Sequence, residues 1–219
     1  MVDENNFPAE PVTKWKRNGK TVLLSVGGQN GNWKVVFRSE TATNNFIESL
    51  VNAVQKFRLD GVDIDIQGYL ATPRTVANMI IKLKQSLNTL GHKILVVSPE
   101  DVTIYQGVQV PGPDAGGQPW NYFVPIVQLA DDYIDFYQPQ AYNNWYDGLP
   151  GGSLDYYKDV YLNWRNFQGL SQSAGPIPGF SGVKGSKLRI GLLASSSAGI
   201  PDYYGEPQTI KEFQQFLKR

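Results

Sequence analysis

The chain has 219 residues, 41% hydrophobic and 18% charged, which is enough apolar content for a sizeable core and speaks against a disordered chain. Its 20 Lys and Arg balance 20 Asp and Glu, so no charge excess draws it to nucleic acid or to an anionic membrane. With no Cys and one His, His92, it excludes disulfides, thiolate metal sites and a three-His zinc site, leaving carboxylates, amides, hydroxyls and aromatics to carry any chemistry.

The opening MVDENNFPAEP is polar and shows no secretory leader, and no run reaches the about 18 apolar residues of a membrane span. Residues 21–26 read as a buried strand that ends at Gly27-Gly28. Phe46, Ile47, Leu50, Val51, Val54 and Phe57 recur at helical spacing. Residues 61–66 form the next strand, and Val76, Met79, Ile80, Leu83, Leu87 and Leu90 the next helical stripe, closed by Gly91. A third strand covers 94–98, a Gly/Pro-rich loop 107–120 and a short helix 122–129. Residues 134–142 read as a fourth strand with Pro139 anomalous inside it. Leu154, Tyr157, Tyr161 and Trp164 mark a helix, 170–187 a loop, 188–193 a fifth strand, and Ile210, Phe213 and Phe216 a last helix. Near-continuous apolar strands alternating with helices predict an α/β fold with a parallel sheet covered on both faces. A doubly wound sheet and a (β/α) barrel both satisfy this rhythm.

The strongest local signal is Asp60-Gly61-Val62-Asp63-Ile64-Asp65-Ile66-Gln67. On a strand, residues 63, 65 and 67 share one face. Two neighbouring carboxylates there are costly unless they share a proton or find donors. Such a pair serves either structure, as a cap or a water site, or chemistry.

That segment resembles the D-x-x-D-x-D-x-E signature of family 18 glycoside hydrolases, the chitinases and their inactive relatives. Leu24-Ser25-Val26-Gly27-Gly28 resembles the family's S-x-G-G segment, Val97-Ser98-Pro99-Glu100 its M-A-P-E segment, and Gln140-Ala141-Tyr142-Asn143 its Q-x-Y-N segment, in the family's order. The resemblance implies a (β/α)8 barrel with its site at the C-terminal strand ends. Residues 1–219 would then be a single domain, an incomplete barrel holding the equivalents of strands three to seven and lacking the first two and the eighth. The implied mechanism is substrate-assisted, with the glycan's own acetamide oxygen attacking the anomeric carbon. In it Asp65 orients the acetamide, Asp63 shares a proton with Asp65, and Tyr142 hydrogen-bonds the acetamide oxygen. Gln140, Asn143 and Trp145 would bind substrate, with Tyr146 and Trp120 as further stacking candidates. No metal and no cofactor is implied. The partners implied are chitin or N-acetylglucosamine oligosaccharides, with no nucleic acid and no membrane, and secretion is the implied location.

Gln67 stands where the family's acid is Glu, and an amide has no proton to donate. General acid catalysis contributes about 10²–10⁴-fold, so little activity is expected. Three readings follow: a catalytically impaired, lectin-like binder of N-acetylglucosamine polymers; an active chitinase or endo-N-acetylglucosaminidase whose acid was exchanged; or a storage or inhibitor protein on the same scaffold. Open sheet edges lead to an expected homo-oligomer. Trp33 is divided between core and cleft, Trp164 is assigned to the core, His92 to an exposed helix end, and Ser195-Ser196-Ser197 to a polar loop without a hydrolase elbow.

Overall fold

Four parallel strands lie side by side in chain order: β1 (Leu23–Gly27), β2 (Gly61–Asp65), β3 (Ile94–Val97) and β4 (Phe136–Tyr137). A doubly wound sheet reverses its strand order at a switch point. This sheet does not, which decides between the two predicted architectures in favour of the barrel type. The computed structural model describes residues 7–67, 71–104, 113–114, 121–144, 149–166 and 179–218. Among the described residues, no helix is long and apolar enough to cross a membrane.

Helices return the chain between strands. α1 (Ala9–Arg17) precedes β1, and α2 (Trp33–Val36) and α3 (Glu40–Lys56) connect it to β2. α4 (Pro73–Asn88) leads to β3, α5 (Phe123–Ala130) to β4, and α6 (Leu154–Asn166) and α7 (Pro207–Phe216) follow. Their starts are chemically specified. Ser39 caps α3 by accepting the Ala42 N–H at 3.1 Å, and Thr72 caps α4 by accepting the Thr75 N–H, with Pro73 in the first turn.

Alternation along the strands divides two faces. Val62, Ile64, Leu95 and Val97 are fully buried and join one core with Ile47, Leu50 and Val54 of α3 and Val76, Ile80 and Leu83 of α4. Each such side chain contributes about 1.5–3 kcal/mol of burial free energy. The opposite face carries Ser25, Asp63, Asp65 and Ser98. Hydrophobic packing behind the sheet thus fixes which way the carboxylates point, because a one-residue slip would turn them into the core.

Two predicted strands are shorter than their apolar runs. Within 134–142 regular pairing covers only Phe136–Tyr137, and 188–193 contributes isolated parallel bridges, Leu188 to Tyr137 and Gly191 to Gln140. Two prolines are the physical reason: Pro139 has no N–H to give the 188–193 side, where only its carbonyl takes part, accepting the Gly191 N–H at 2.9 Å, and Pro99 has none to give back to β4. Helix α1 was not predicted. Its apolar stripe is too sparse, with Val12 its one buried residue. Trp164 is buried and His92 is exposed, as expected, and Trp33 resolves to the core at 2% exposure.

β2 runs unusually close to β3 at Gly61, where a Cβ would lie 1.9 Å from the Ile94 carbonyl oxygen. Gly61→Ala is expected to force these strands apart and to cost at least about 1–3 kcal/mol, as overpacking typically does. Urea unfolding of the two proteins checks this.

Candidate active site

The motif's first carboxylate, Asp60, lies just before β2 and works on the scaffold. Its Oδ2 accepts the Val22 N–H at 2.8 Å and its Oδ1 pairs with Lys16 Nζ at 2.5 Å, tying α1 and the start of β1 to β2. Burial alone would raise its pKa, but Lys16 and the Val22 N–H outweigh that and hold it below the usual carboxylate range.

Asp63 and Asp65 follow on the face opposite the core. Asp63 receives two hydroxyls from the flanking strands: Ser25 Oγ donates to Oδ2 at 2.6 Å and Ser98 Oγ to Oδ1 at 2.7 Å. Asp65 receives two amides: Gln67 Nε2 donates to Oδ1 at 3.0 Å and Gln140 Nε2 to the same oxygen at 2.9 Å. Gln140 Nε2 also reaches the Ser98 carbonyl at 3.0 Å, and Gln140 Oε1 accepts from Gln67 Nε2 at 3.3 Å. Burial pushes the Asp65 carboxyl above its ordinary range, Asp63 adds to the rise, and the two amides oppose it. The net direction is upward.

Tyr142, half-buried beyond β4, feels the same charges. Burial raises its phenol pKa, and Asp65 and Asp63 raise it further, so the hydroxyl keeps its proton and remains a donor. Asp63, Asp65, Gln67, Gln140 and Tyr142 therefore form one constellation. Asn143 is placed differently. It adopts a left-handed backbone at φ 57°, and its Oδ1 accepts the Ile200 N–H at 2.7 Å, pinning the 194–204 loop to the end of β4. Trp145, Tyr146 and Trp120 lie outside the described residues.

Sequence reasoning missed Ser98 as a site residue, although period-two spacing from Val96 places it on the site face. It also missed Asn144, whose Nδ2 donates to the Gln140 carbonyl at 2.8 Å. Gly27 and Gly28 close the site from β1. The Gly28 N–H donates to the Asp65 carbonyl at 2.9 Å, and Gly27, at φ 117°, leaves 2.0 Å between a would-be Cβ and that oxygen. Among the described residues no group of His, Cys, Asp and Glu is arranged to hold a metal ion.

Residues 3–193 match the family described as Glycosyl hydrolases family 18, and the chain belongs to that family. It is 31% identical over 158 residues to a probable class II chitinase of Arthroderma benhamiae, covering 66% of this chain and 47% of that protein. It is 27% identical over 207 residues to exochitinase 1 of Streptomyces olivaceoviridis, covering 83% of this chain and 33% of that protein. The chain thus spans half or less of the length of these curated relatives. Among solved structures it superposes on a GH18 chitinase from Chromobacterium violaceum with TM-score 0.72 and 23% identity, over 94% of this chain and 56% of that one. A Glu-to-Gln variant of a class V chitinase from Nicotiana tobaccum, in complex with NAG4, superposes with TM-score 0.56 and 16% identity, over 90% and 58% of the two chains. These likenesses agree with the incomplete barrel.

The raised Asp65 pKa has a consequence for folding. The folded state holds a proton that the unfolded chain has already lost, so stability falls as pH rises from the ordinary Asp range through the folded midpoint. Asp65→Asn keeps an acceptor for the amides and is expected to flatten that part of the stability–pH curve. Urea unfolding at a series of pH values checks the slope.

Proposed function

We propose that this chain binds N-acetylglucosamine oligosaccharides of the chitin type and does not hydrolyse them. The carrying observation is the Gln67 side chain, which occupies the acid's place and donates through Nε2 to both Asp65 and Gln140. An amide held this way cannot supply a leaving-group proton. The groups suited to an N-acetyl substituent are nonetheless together: a carboxyl with a raised pKa at Asp65, and a phenolic donor at Tyr142. Belonging to a family of glycosyl hydrolases, and likeness to chitinases, support the sugar class. The NAG4 complex of a Glu-to-Gln chitinase supports binding without the acid.

In this reading the acetamide enters above β2. Asp65 hydrogen-bonds its N–H or carbonyl according to protonation, and Tyr142 donates to its oxygen. Asp63, held by Ser25 and Ser98, adds negative potential beneath Asp65. Neither a metal nor a cofactor takes part. Residues 1–219 act as one domain.

The same reading includes self-association. Among the described residues β1 pairs only with β2, and beside it lies a cavity of about 420 Å³ lined by Leu24, Val26, Trp33, Val36, Phe46 and Leu50. An unpaired edge next to apolar lining is a site for association. Light scattering across a concentration series is expected to show a dimer, and a monomer at every concentration would count against assembly.

Calorimetry with a chitin hexamer tests binding. Binding is expected for the parent chain, and Tyr142→Phe is expected to weaken it about two- to tenfold, the worth of one hydrogen bond. Absence of any heat of binding would favour the storage or inhibitor role. Turnover, followed by product release from the hexamer, is not expected in the parent, and Gln67→Glu alone is expected to restore little of it, because orienting the sugar ring requires a complete subsite; robust turnover in Gln67→Glu would show that the site is otherwise complete.

A further inference from the structure

Behind the sugar-facing groups lies a buried polar relay that the reaction scheme does not use. It begins at Gln140, whose side chain touches Asp65, Gln67 and the Ser98 carbonyl. The Gln140 backbone carbonyl accepts from Asn144 Nδ2 at 2.8 Å. The Asn144 amide also hydrogen-bonds the Tyr156 hydroxyl on α6, and that hydroxyl donates to Asp101 Oδ2 at 3.3 Å. Asp101 and Tyr156 are 0% exposed and Asn144 is 6% exposed. Trp164, about two helical turns further along α6 on the same buried stripe, donates its indole N–H to the Asp101 carbonyl at 3.1 Å.

The relay's position carries the argument. Asp101 directly follows Glu100, which bridges Gln140, and the Gln140 N–H donates to the Pro99 carbonyl at 2.9 Å. β3 and β4 are therefore joined at their C-terminal ends twice: once by the ladder and once through α6. The β3–β4 ladder here is thin: beyond Tyr137 it consists of the Gln138 N–H to the Val97 carbonyl at 2.8 Å and the Gln140 N–H to the Pro99 carbonyl, and Pro99 has no N–H to return. On its other side Pro139 gives the 188–193 segment no N–H, so pairing alone fixes the Gln140 backbone poorly. A buried hydrogen-bonded network supplies the missing rigidity.

We infer that Asn144 and Tyr156, seated on Asp101, are positioning residues that set the Gln140 backbone so that its side-chain amide reaches Asp65. The inference deepens the proposed binding site and its sugar-binding test rests on that reading. Its own test does not. Two donors reach Asp65 Oδ1, and loss of one removes part of what favours the ionised carboxyl. Tyr156→Phe deletes only the hydroxyl, and Asn144→Ala only the amide. Both are expected to raise the Asp65 titration midpoint by about half a unit to one unit, read by carboxyl carbon NMR on the sugar-free protein. Asp63 and Tyr142, which share the site, are followed in the same spectra.

Tyr157→Phe is the control. It is the next residue of α6, buried like Tyr156, and loses a hydrogen bond of its own, to the Tyr203 carbonyl at 2.9 Å. It is expected to leave the Asp65 midpoint at the parent value. Affinity for the chitin hexamer is expected to fall about two- to tenfold in Tyr156→Phe and Asn144→Ala and to hold in Tyr157→Phe. An unmoved Asp65 midpoint in the first two variants, or an equal displacement in all three, would overturn the inference. If Tyr156→Phe does not fold, Asn144→Ala decides, because Asn144 lies outside the helix and its loss leaves the α6 packing intact. If the parent binds no hexamer, the functional reading fails alone and the titration still decides this one.

Discussion

Two carboxylates placed two residues apart on one strand face repel each other and lose hydration, and nothing on β2 itself compensates. Compensation comes from the neighbouring strands. β1 supplies the Ser25 hydroxyl, the end of β3 supplies the Ser98 hydroxyl, and the segment after β4 supplies the Gln140 amide. Each donor arrives only if its strand is in register, so the Asp pair and the sheet specify each other. The donors are also unequal in kind. Asp63 is served by short hydroxyl contacts, and Asp65 by two longer amide contacts to one oxygen, which leaves Oδ2 of Asp65 facing the opening above Gly28. The pair is thereby asymmetric: Asp63 is held through both oxygens by hydroxyls, and Asp65 through one oxygen by amides.

Glycine makes that presentation possible. Gly61 and Gly27 sit where β2 meets β3 and β1 so closely that any side chain would collide with a carbonyl oxygen of the neighbouring chain segment. These approaches set the spacing between Ser25, Asp63 and Ser98 to hydrogen-bond length. The two positions belong to the two glycine-containing segments of the sequence that first suggested a sugar-active fold, and here their role is metric rather than catalytic. Asp60 is a similar case. It reads as part of an acidic signature, yet its partners are Lys16 and the Val22 N–H, and it fixes where β1 begins.

Much of this was legible in the chain. Period-two spacing of Asp63, Asp65 and Gln67 placed them on one face, and the apolar residues between them put the core on the other. The long stripes of α3 and α4 were readable because their apolar periodicity runs for several turns. Other parts were not. Helix α1 docks through one buried residue and an ion pair, which leaves no stripe to read. The fourth strand was overextended because Ile134 to Tyr142 is apolar and aromatic enough to suggest pairing, whereas Pro99 and Pro139 stop it. Asn143 has the chemistry of a sugar ligand, and its left-handed turn and its bond to Ile200 depend on a loop more than fifty residues away. Asn144 and Tyr156 escaped for the same reason: contacts between an amide, a phenol and a distant carboxylate have no local pattern.

Gln67 gains meaning from these surroundings rather than from its identity alone. A Glu at this place could approach Asp65 at 3.0 Å only if one of the two carried a proton, since two ionised carboxylates so close would each be forced up in pKa. To hydrogen-bond Gln140 Oε1 the Glu would itself have to carry that proton. The amide satisfies both acceptors with N–H bonds that exist at every pH. Compared with a Glu, Gln67 therefore lacks a proton to donate and also lacks the like-charge strain that a Glu beside Asp65 would bear. What remains is a quieter polar surface: Asp65 with its raised pKa, a phenolic Tyr142 and two locked amides. In the proposed reading, such a surface holds an N-acetyl group without a proton donor for the leaving oxygen.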